Sequence, residues 1–177
     1  MYKQKCVFLD RDGVINHAIL KNRKPYSPRD LSEFRIIDDC IENIDRIKNM
    51  GFLRIIITNQ PDVSSGNLSL NLLKKFHNLL FSQMSLTDIY YCTHLDIDSC
   101  FCRKPGTGMI DAAVEKYNID LKKSFVIGDR WRDVDCGVKA GCKTIFIDYN
   151  YNEKLNYKPS AIVKNLSSAV NLIQKWN

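Results

Sequence analysis

Asp10 and Asp12 stand two residues apart in the run Cys6-Val-Phe-Leu-Asp-Arg-Asp-Gly-Val-Ile-Asn16, directly behind four apolar residues. A short continuous apolar run reads as a strand buried on both faces. Both carboxylates then fall at its carboxyl end, where open parallel α/β sheets bind ligands, and Gly13 lets the chain turn sharply. Neighbouring carboxylates repel, so they call for a cation or a shared proton. Hard oxygen donors of this kind suit magnesium, which binds through one or two carboxylates together with substrate phosphate. A solvated Asp-x-Asp-Gly turn is the plain alternative. An EF-hand fits poorly, because a strand precedes the motif and Val14, Ile15 and His17 follow it.

Other strand ends carry groups that complement the pair. The strand Phe52–Ile57 ends in Thr58-Asn59-Gln60, whose small polar side chains can hydrogen-bond a phosphate beside backbone amides. The strand Ser124–Ile127 ends in Gly128-Asp129-Arg130-Trp131-Arg132-Asp133. Lys104 follows the segment beyond a strand at Asp88–Cys92. Carboxylates around a cation, with a lysine and a hydroxyl, fit phosphoryl transfer, in which catalysis is mainly positioning and electrostatic stabilisation. One carboxylate can act as a covalent nucleophile while a second protonates the leaving alkoxide and then activates water.

A second constellation is Cys92, His94, Cys100 and Cys102, spaced Cys-x-His-x5-Cys-x-Cys. Three thiolates and an imidazole fill a tetrahedral zinc, leaving no open position, so this zinc is structural and pins the loop 92–102. Cys6, Cys40, Cys136 and Cys142 lie in or beside apolar segments and read as buried thiols.

Helical periodicity over 38–50, 68–84, 106–117, 133–140 and 166–176 alternates with strands at 6–9, 52–57, 88–92, 124–127 and 143–147, with an edge strand at 161–164. That alternation predicts an α/β fold with a parallel central sheet and helices on both faces. His77 falls in the second helix and reads as a surface histidine. The proline-containing stretch 17–30, with Lys21, Arg23 and Lys24, is a candidate substrate gate. The stretch 149–160 reads as a plain loop.

The chain has 177 residues, 45% hydrophobic and 26% charged, which suits one domain over 1–177 with an adequate core. No apolar run approaches a membrane span or a signal peptide, and seven cysteines without an even count suit a reducing compartment, so a cytoplasmic protein is expected. The net charge of +6 comes from scattered lysines, which favours an anionic small substrate over nucleic acid. A zinc-dependent nucleic-acid module would need basic residues clustered on the helix after the ligands, yet that helix opens Met-Ile-Asp-Ala-Ala-Val-Glu. A monomer is expected.

Along nearly its full length the chain resembles the haloacid dehalogenase (HAD) phosphatases, through Asp10-Arg11-Asp12-Gly13, Thr58-Asn59, Lys104, and Gly128-Asp129 with Asp133. The resemblance implies a Rossmann-like HAD fold without a large cap domain. It implies Asp10 as nucleophile, Asp12 as general acid and then base, and Thr58 and Lys104 on the phosphoryl oxygens. Magnesium would lie at Asp10, the Asp12 carbonyl and Asp129, with Asp133 nearby. The zinc loop ending in Cys102-Arg103-Lys104-Pro105 is similar to that of the D-glycero-D-manno-heptose 1,7-bisphosphate phosphatases and the histidinol phosphatases. This implies substrate contacts from Arg11, Asn59, Gln60, Arg103 and Arg130, with Arg103 on the distal phosphate. It also implies a sugar bisphosphate losing its 7-phosphate, with histidinol phosphate as the alternative substrate. Val14, Pro61-Asp62-Val63 and Trp131-Arg132 depart from the usual pattern around the leaving-group side.

Overall fold

Cys6–Leu9 forms β1, and all four of its side chains are fully buried, as its unbroken apolar run requires. The computed structural model describes residues 3–177. β1 pairs in parallel with β4 (Leu53–Asn59) on one side and β6 (Phe125–Gly128) on the other. The sheet continues outward to β5 (Asp88–Cys92) beyond β4, and to β7 (Lys143–Ile147) and β8 (Ala161–Val163) beyond β6, giving the order β5-β4-β1-β6-β7-β8. The chain runs outward from β1 in one direction, then returns to build the other half. The switch point therefore lies between β1 and β6, whose carboxyl ends carry Asp10 and Asp129. A crevice opens at such a point, and ligands bind there.

Period-two alternation sorts the strand residues between two cores. Val7, Leu9, Ile56, Ile127 and Ile145 face α1 (Cys40–Asn49), α2 (Leu70–Gln83) and α5 (Leu166–Trp176). Cys6, Phe8, Ile55, Ile57 and Val126 face α3 (Gly108–Tyr117) and α4 (Trp131–Ala140). At Gly137 a Cβ would come within 2.4 Å of Thr144 Cγ2, so α4 can lie this close to the sheet only with glycine there. Among the described residues no helix is long and apolar enough to cross a membrane.

Several boundaries differ from the periodicity reading. α2 starts at Leu70 because Ser69 caps it, its hydroxyl accepting from Leu72 N at 3.1 Å. α4 starts at Trp131, before Asp133, because the Asp133 carboxylate reaches back to Arg130 N at 3.0 Å and closes the first turn. β4 runs on through Thr58 and Asn59, which pair with Tyr91 and Cys92 of β5. Within 17–30 the chain forms a hairpin, β2 (Ile19–Lys21) and β3 (Lys24–Tyr26), turned by Asn22 and Arg23 at φ 52° and 59°.

Candidate active site

The backbone N–H of Asp10 donates to Ile127 O at 2.9 Å, tying the end of β1 to β6. Its Oδ1 accepts from Arg11 N and from Lys104 Nζ, each at 2.8 Å. Lys104 Nζ also meets Asp133 Oδ1 at 2.6 Å and Ile57 O at 2.7 Å. The lysine is only 2% exposed. Burial works against its charge, but Asp10 and Asp133 more than offset that and raise its pKa. Its backbone is clamped by Asn59, which accepts from Lys104 N at 3.0 Å and donates to Lys104 O at 2.9 Å.

Asp10, Asp129 and Asp133 each offer an oxygen within 4.8 Å of the others. Three carboxylates against the one ammonium leave excess negative charge in a buried place. Burial accordingly pushes the Asp10 carboxyl up to about 6, with Lys104 pulling it down and Asp133 and Asp12 pushing it further up. Burial, then Asp10 and Asp133, raise Asp129 well above the usual carboxylate range. Both Asp129 oxygens are buried and no well-formed hydrogen bond reaches them, though the Tyr151 hydroxyl lies near enough to pull the carboxyl down; this is a costly state for a carboxylate. Hard oxygens, surplus negative charge and an orphaned carboxylate together fit a magnesium ion.

Glycine leaves the necessary space. A Cβ at Gly13, where φ is +93°, would stand 2.0 Å from Asp129 Oδ2, and one at Gly128 would meet Asp133 at 2.2 Å. Gly13→Ala is expected to lower stability by more than about 2 kcal/mol and to weaken magnesium binding, as read by urea unfolding and a magnesium titration.

The raised carboxyls set a pH dependence. A carboxyl whose native pKa exceeds its unfolded value binds extra protons when folded, so stability falls as pH rises from about 4 through about 6. A divalent cation replaces those protons. The gain in Tm on adding magnesium is therefore expected to be larger at pH 7 than at pH 4.5. An equal gain at both would contradict this.

Asp12 faces the other way. Its Oδ1 accepts from Arg11 Nη2 at 2.8 Å and Asn16 Nδ2 at 2.9 Å, and its Oδ2 from Gln60 Nε2 and Ser27 Oγ, each at 2.8 Å. Burial favours the neutral acid, but the Arg11 guanidinium and these donors outweigh it and hold the carboxyl below its ordinary range. Arg11 is itself fully buried, its guanidinium 5.7 Å and 5.8 Å from the ring centroids of Phe34 and Phe76. His77 is not on the surface. It is 6% exposed, with Nε2 3.5 Å from Arg11 Nη1, and burial with the nearby guanidinium lowers its pKa to about 4, so the ring is neutral.

A cavity of about 470 Å³ opens above these groups. Asp10, Asp12, Thr58, Asn59, Lys104 and Asp133 line its floor, and Lys24, Tyr26, Arg29, Arg103, Arg130 and Arg132 its walls. Arg11 and Gln60, expected to touch substrate, lie instead beneath the floor, because both spend their polar atoms on Asp12. Asp129 is buried and also off the wall. Of the three gate cations, Lys24 reaches the cavity, while Arg23 Nη2 donates to Asn150 O at 3.1 Å. The stretch 149–160 is more than a plain loop, since Glu153 reaches the cavity and pairs with Arg130.

Cys92, His94, Cys100 and Cys102 converge as expected from their spacing. Their sulfurs lie 3.2 to 3.6 Å apart, and His94 Nδ1 is 3.2 Å from Cys102 Sγ. None of the three cysteines is in a disulfide. This is a closed donor set for a tetrahedral metal ion, for which a Zn–S bond of about 2.3 Å sets sulfurs roughly 3.7 Å apart.

Residues 101–169 match the HAD-hydrolase-like family model. The chain is 34% identical over 157 residues to the D-glycero-alpha-D-manno-heptose-1,7-bisphosphate 7-phosphatase of Photorhabdus laumondii, covering 82% of each chain. It is 32% identical over 145 residues to the histidine biosynthesis bifunctional protein of Campylobacter jejuni, covering 79% of this chain and 40% of that one. Its fold is similar to the crystal structure of D,D-heptose 1,7-bisphosphate phosphatase from B. bronchiseptica complexed with magnesium and phosphate. The TM-score is 0.84 at 22% identity, over 98% of this chain and 100% of that one. The chain belongs to the haloacid dehalogenase-like hydrolases, as a relative of their heptose bisphosphate phosphatases.

Proposed function

We propose that this protein is a magnesium-dependent phosphatase that removes the 7-phosphate of D-glycero-D-manno-heptose 1,7-bisphosphate through an aspartyl phosphate on Asp10. The observation that carries this reading is the carboxylate triad with its orphaned Asp129, set below a cavity walled by four arginines. The relatives' names supply the sugar.

Lys104 holds Asp10 Oδ1, leaving the other oxygen of the carboxylate for phosphorus. As the Asp10–phosphorus bond forms, the bond from phosphorus to the sugar oxygen breaks. Asp12 is ionised at rest; the arriving dianion raises its proton affinity, so it takes a proton from solvent as substrate binds and then gives that proton to the departing alkoxide. Asp12 then takes a proton from water, the water oxygen bonds to phosphorus, and Asp10 is released with inorganic phosphate. Thr58, whose hydroxyl accepts from Gln60 at 2.8 Å, has its own proton to offer a phosphoryl oxygen. Asp10, Asp129 and the Asp12 carbonyl, with Asp133 close by, would hold magnesium, which would supply the positive charge that lets an anionic nucleophile meet an anionic substrate.

Zinc at Cys92, His94, Cys100 and Cys102 supports the loop 92–102, which cannot hold itself by burial, since Ile97 and Phe101 are 84% and 89% exposed. Metal analysis of protein purified without chelator is expected to return one zinc per chain, and a chelator that strips it should increase proteolysis within 92–102.

Histidinol phosphate is the second reading, favoured by the Campylobacter relative. Its cationic amine would need an available carboxylate. Among the described residues the wall carboxylates are already paired, Asp62 with Arg29, Asp96 with Arg103 and Arg132, and Glu153 with Arg130. Phosphate release is therefore expected from the heptose bisphosphate, lost in EDTA and low with histidinol phosphate. The reverse order of substrates would overturn the bisphosphate reading and keep the chemistry.

A further inference from the structure

We propose that Arg132 joins Arg103 in a two-guanidinium clamp for the substrate's second phosphate, and that the Asp96 carboxylate occupies this clamp as an exchangeable internal anion until substrate arrives. The proposal rests on the bisphosphate reading. Arg103 stands beside the metal-binding loop and Arg132 in the first turn of α4, and both line the cavity. Asp96 Oδ1 accepts from Arg103 Nε at 2.7 Å and Arg132 Nη1 at 2.8 Å, and Oδ2 from Arg132 Nη2 at 3.1 Å.

Both guanidiniums are anchored independently of Asp96. Arg103 Nη1 donates to His94 O at 3.1 Å, and Arg132 Nη1 to Lys104 O at 3.3 Å. The Arg132 guanidinium also stacks on Trp131, 4.8 Å from its ring centroid. Asp96 is the loose member. Its side chain is 61% exposed, against 13% and 25% for the two arginines. The other wall carboxylates, Asp62 and Glu153, are 14% and 19% exposed. An exposed carboxylate is readily resolvated, so exchanging it costs little. A phosphate brings up to two charges and three acceptor oxygens to the same donors.

The position fits a ligand that spans the site. The same three side chains border a second cavity of about 240 Å³ beyond the first. Asp96, Arg103 and Arg132, together with Lys104, line both spaces, so the clamp stands where the two adjoin. Arg132 also explains why the departure at Trp131-Arg132 lies where it does: it places a second fork on the leaving-group side of the site, with an aromatic plane to orient it.

The test is the ratio of kcat/KM for heptose 1,7-bisphosphate to that for p-nitrophenyl phosphate, in the zinc- and magnesium-loaded enzyme. Arg132→Ala is expected to lower this ratio at least about tenfold through KM, the scale of a lost charged contact. Asp96→Asn keeps the shape but removes the competing charge, and is expected to raise the ratio about threefold or more by lowering KM for the bisphosphate. Arg132→Lys, which keeps the charge and loses the fork, should give an intermediate loss and serves if Arg132→Ala does not fold. An unchanged ratio in Arg132→Ala, or a higher bisphosphate KM in Asp96→Asn, would overturn the clamp while leaving the bisphosphate reading in place. A wild-type enzyme with no preference for bisphosphates would overturn both.

Discussion

Asp10→Asn is expected to lower kcat by at least about 10⁴-fold, the scale seen when a covalent nucleophile is removed, while the protein becomes more stable. The two effects share one cause. The Asp10 carboxylate lines the cavity at the end of β1, and it stands in a buried cluster with more negative than positive charge. Asparagine keeps the oxygen that Lys104 needs but forms no acyl phosphate. It also removes a carboxyl that the fold holds at about 6. At pH 7 without metal, the native state ionises that group at a cost the unfolded chain does not bear. A shift of this size corresponds to roughly 2–3 kcal/mol. The variant's advantage should shrink as pH falls toward 4, where wild-type Asp10 is neutral in the folded protein. Urea unfolding at several pH values, with phosphate release beside it, reads both effects. A variant that is inactive and also less stable at pH 7 would show that Asp10 supports the fold.

Lys104→Met reverses the balance. Its ammonium is the cation among Asp10, Asp129 and Asp133, bonded to two of them and to Ile57 O. Methionine fills the volume and leaves the carboxylates unopposed. Breaking a buried pair from one side costs about 3–5 kcal/mol, and losing a fixed positive group at the phosphoryl oxygens costs about 10²–10³ in kcat. Magnesium should restore part of the stability, because it brings charge to the same cluster, and little of the rate. The pairing of these variants is informative. Removing a negative charge stabilises the apo protein and removing the positive one destabilises it, which follows only if the cluster is overloaded with anions.

The chemistry was legible in the sequence because parallel strands buried on both faces are continuous apolar runs, and the runs of β1 and β6 stop at polar residues on the site. Cys6–Leu9 before Asp10 and Phe125–Gly128 before Asp129 are the clearest. The hairpin at 19–26 was not legible, because its strands have three residues each and Asn22-Arg23 takes positive φ without a glycine to announce the turn. His77 was misread although a signal existed. Leu73, Phe76, His77 and Leu80 have the spacing of one buried helical stripe, and the structure buries all four. Arg11 left no such mark. Its aromatic neighbours Phe34 and Phe76 come from distant segments, so only the folded chain brings them to the guanidinium. The same holds for Glu153 and Ser27, which lie in loops, and for Asp96, which opens a single helical turn, since their partners Arg130, Asp12 and Arg132 come from other segments.

The most direct measurement of the central claim is a chemical trap for phosphate on Asp10. Enzyme loaded with magnesium and heptose 1,7-bisphosphate would be quenched during turnover, treated with borohydride and digested for peptide mass spectrometry. An acyl phosphate is reduced to the alcohol, so homoserine should replace aspartate at position 10, only with substrate present and never in Asp10→Asn. Turnover with position 10 unmodified, or with homoserine at Asp12, Asp129 or Asp133 instead, would contradict the assignment of Asp10 as the nucleophile.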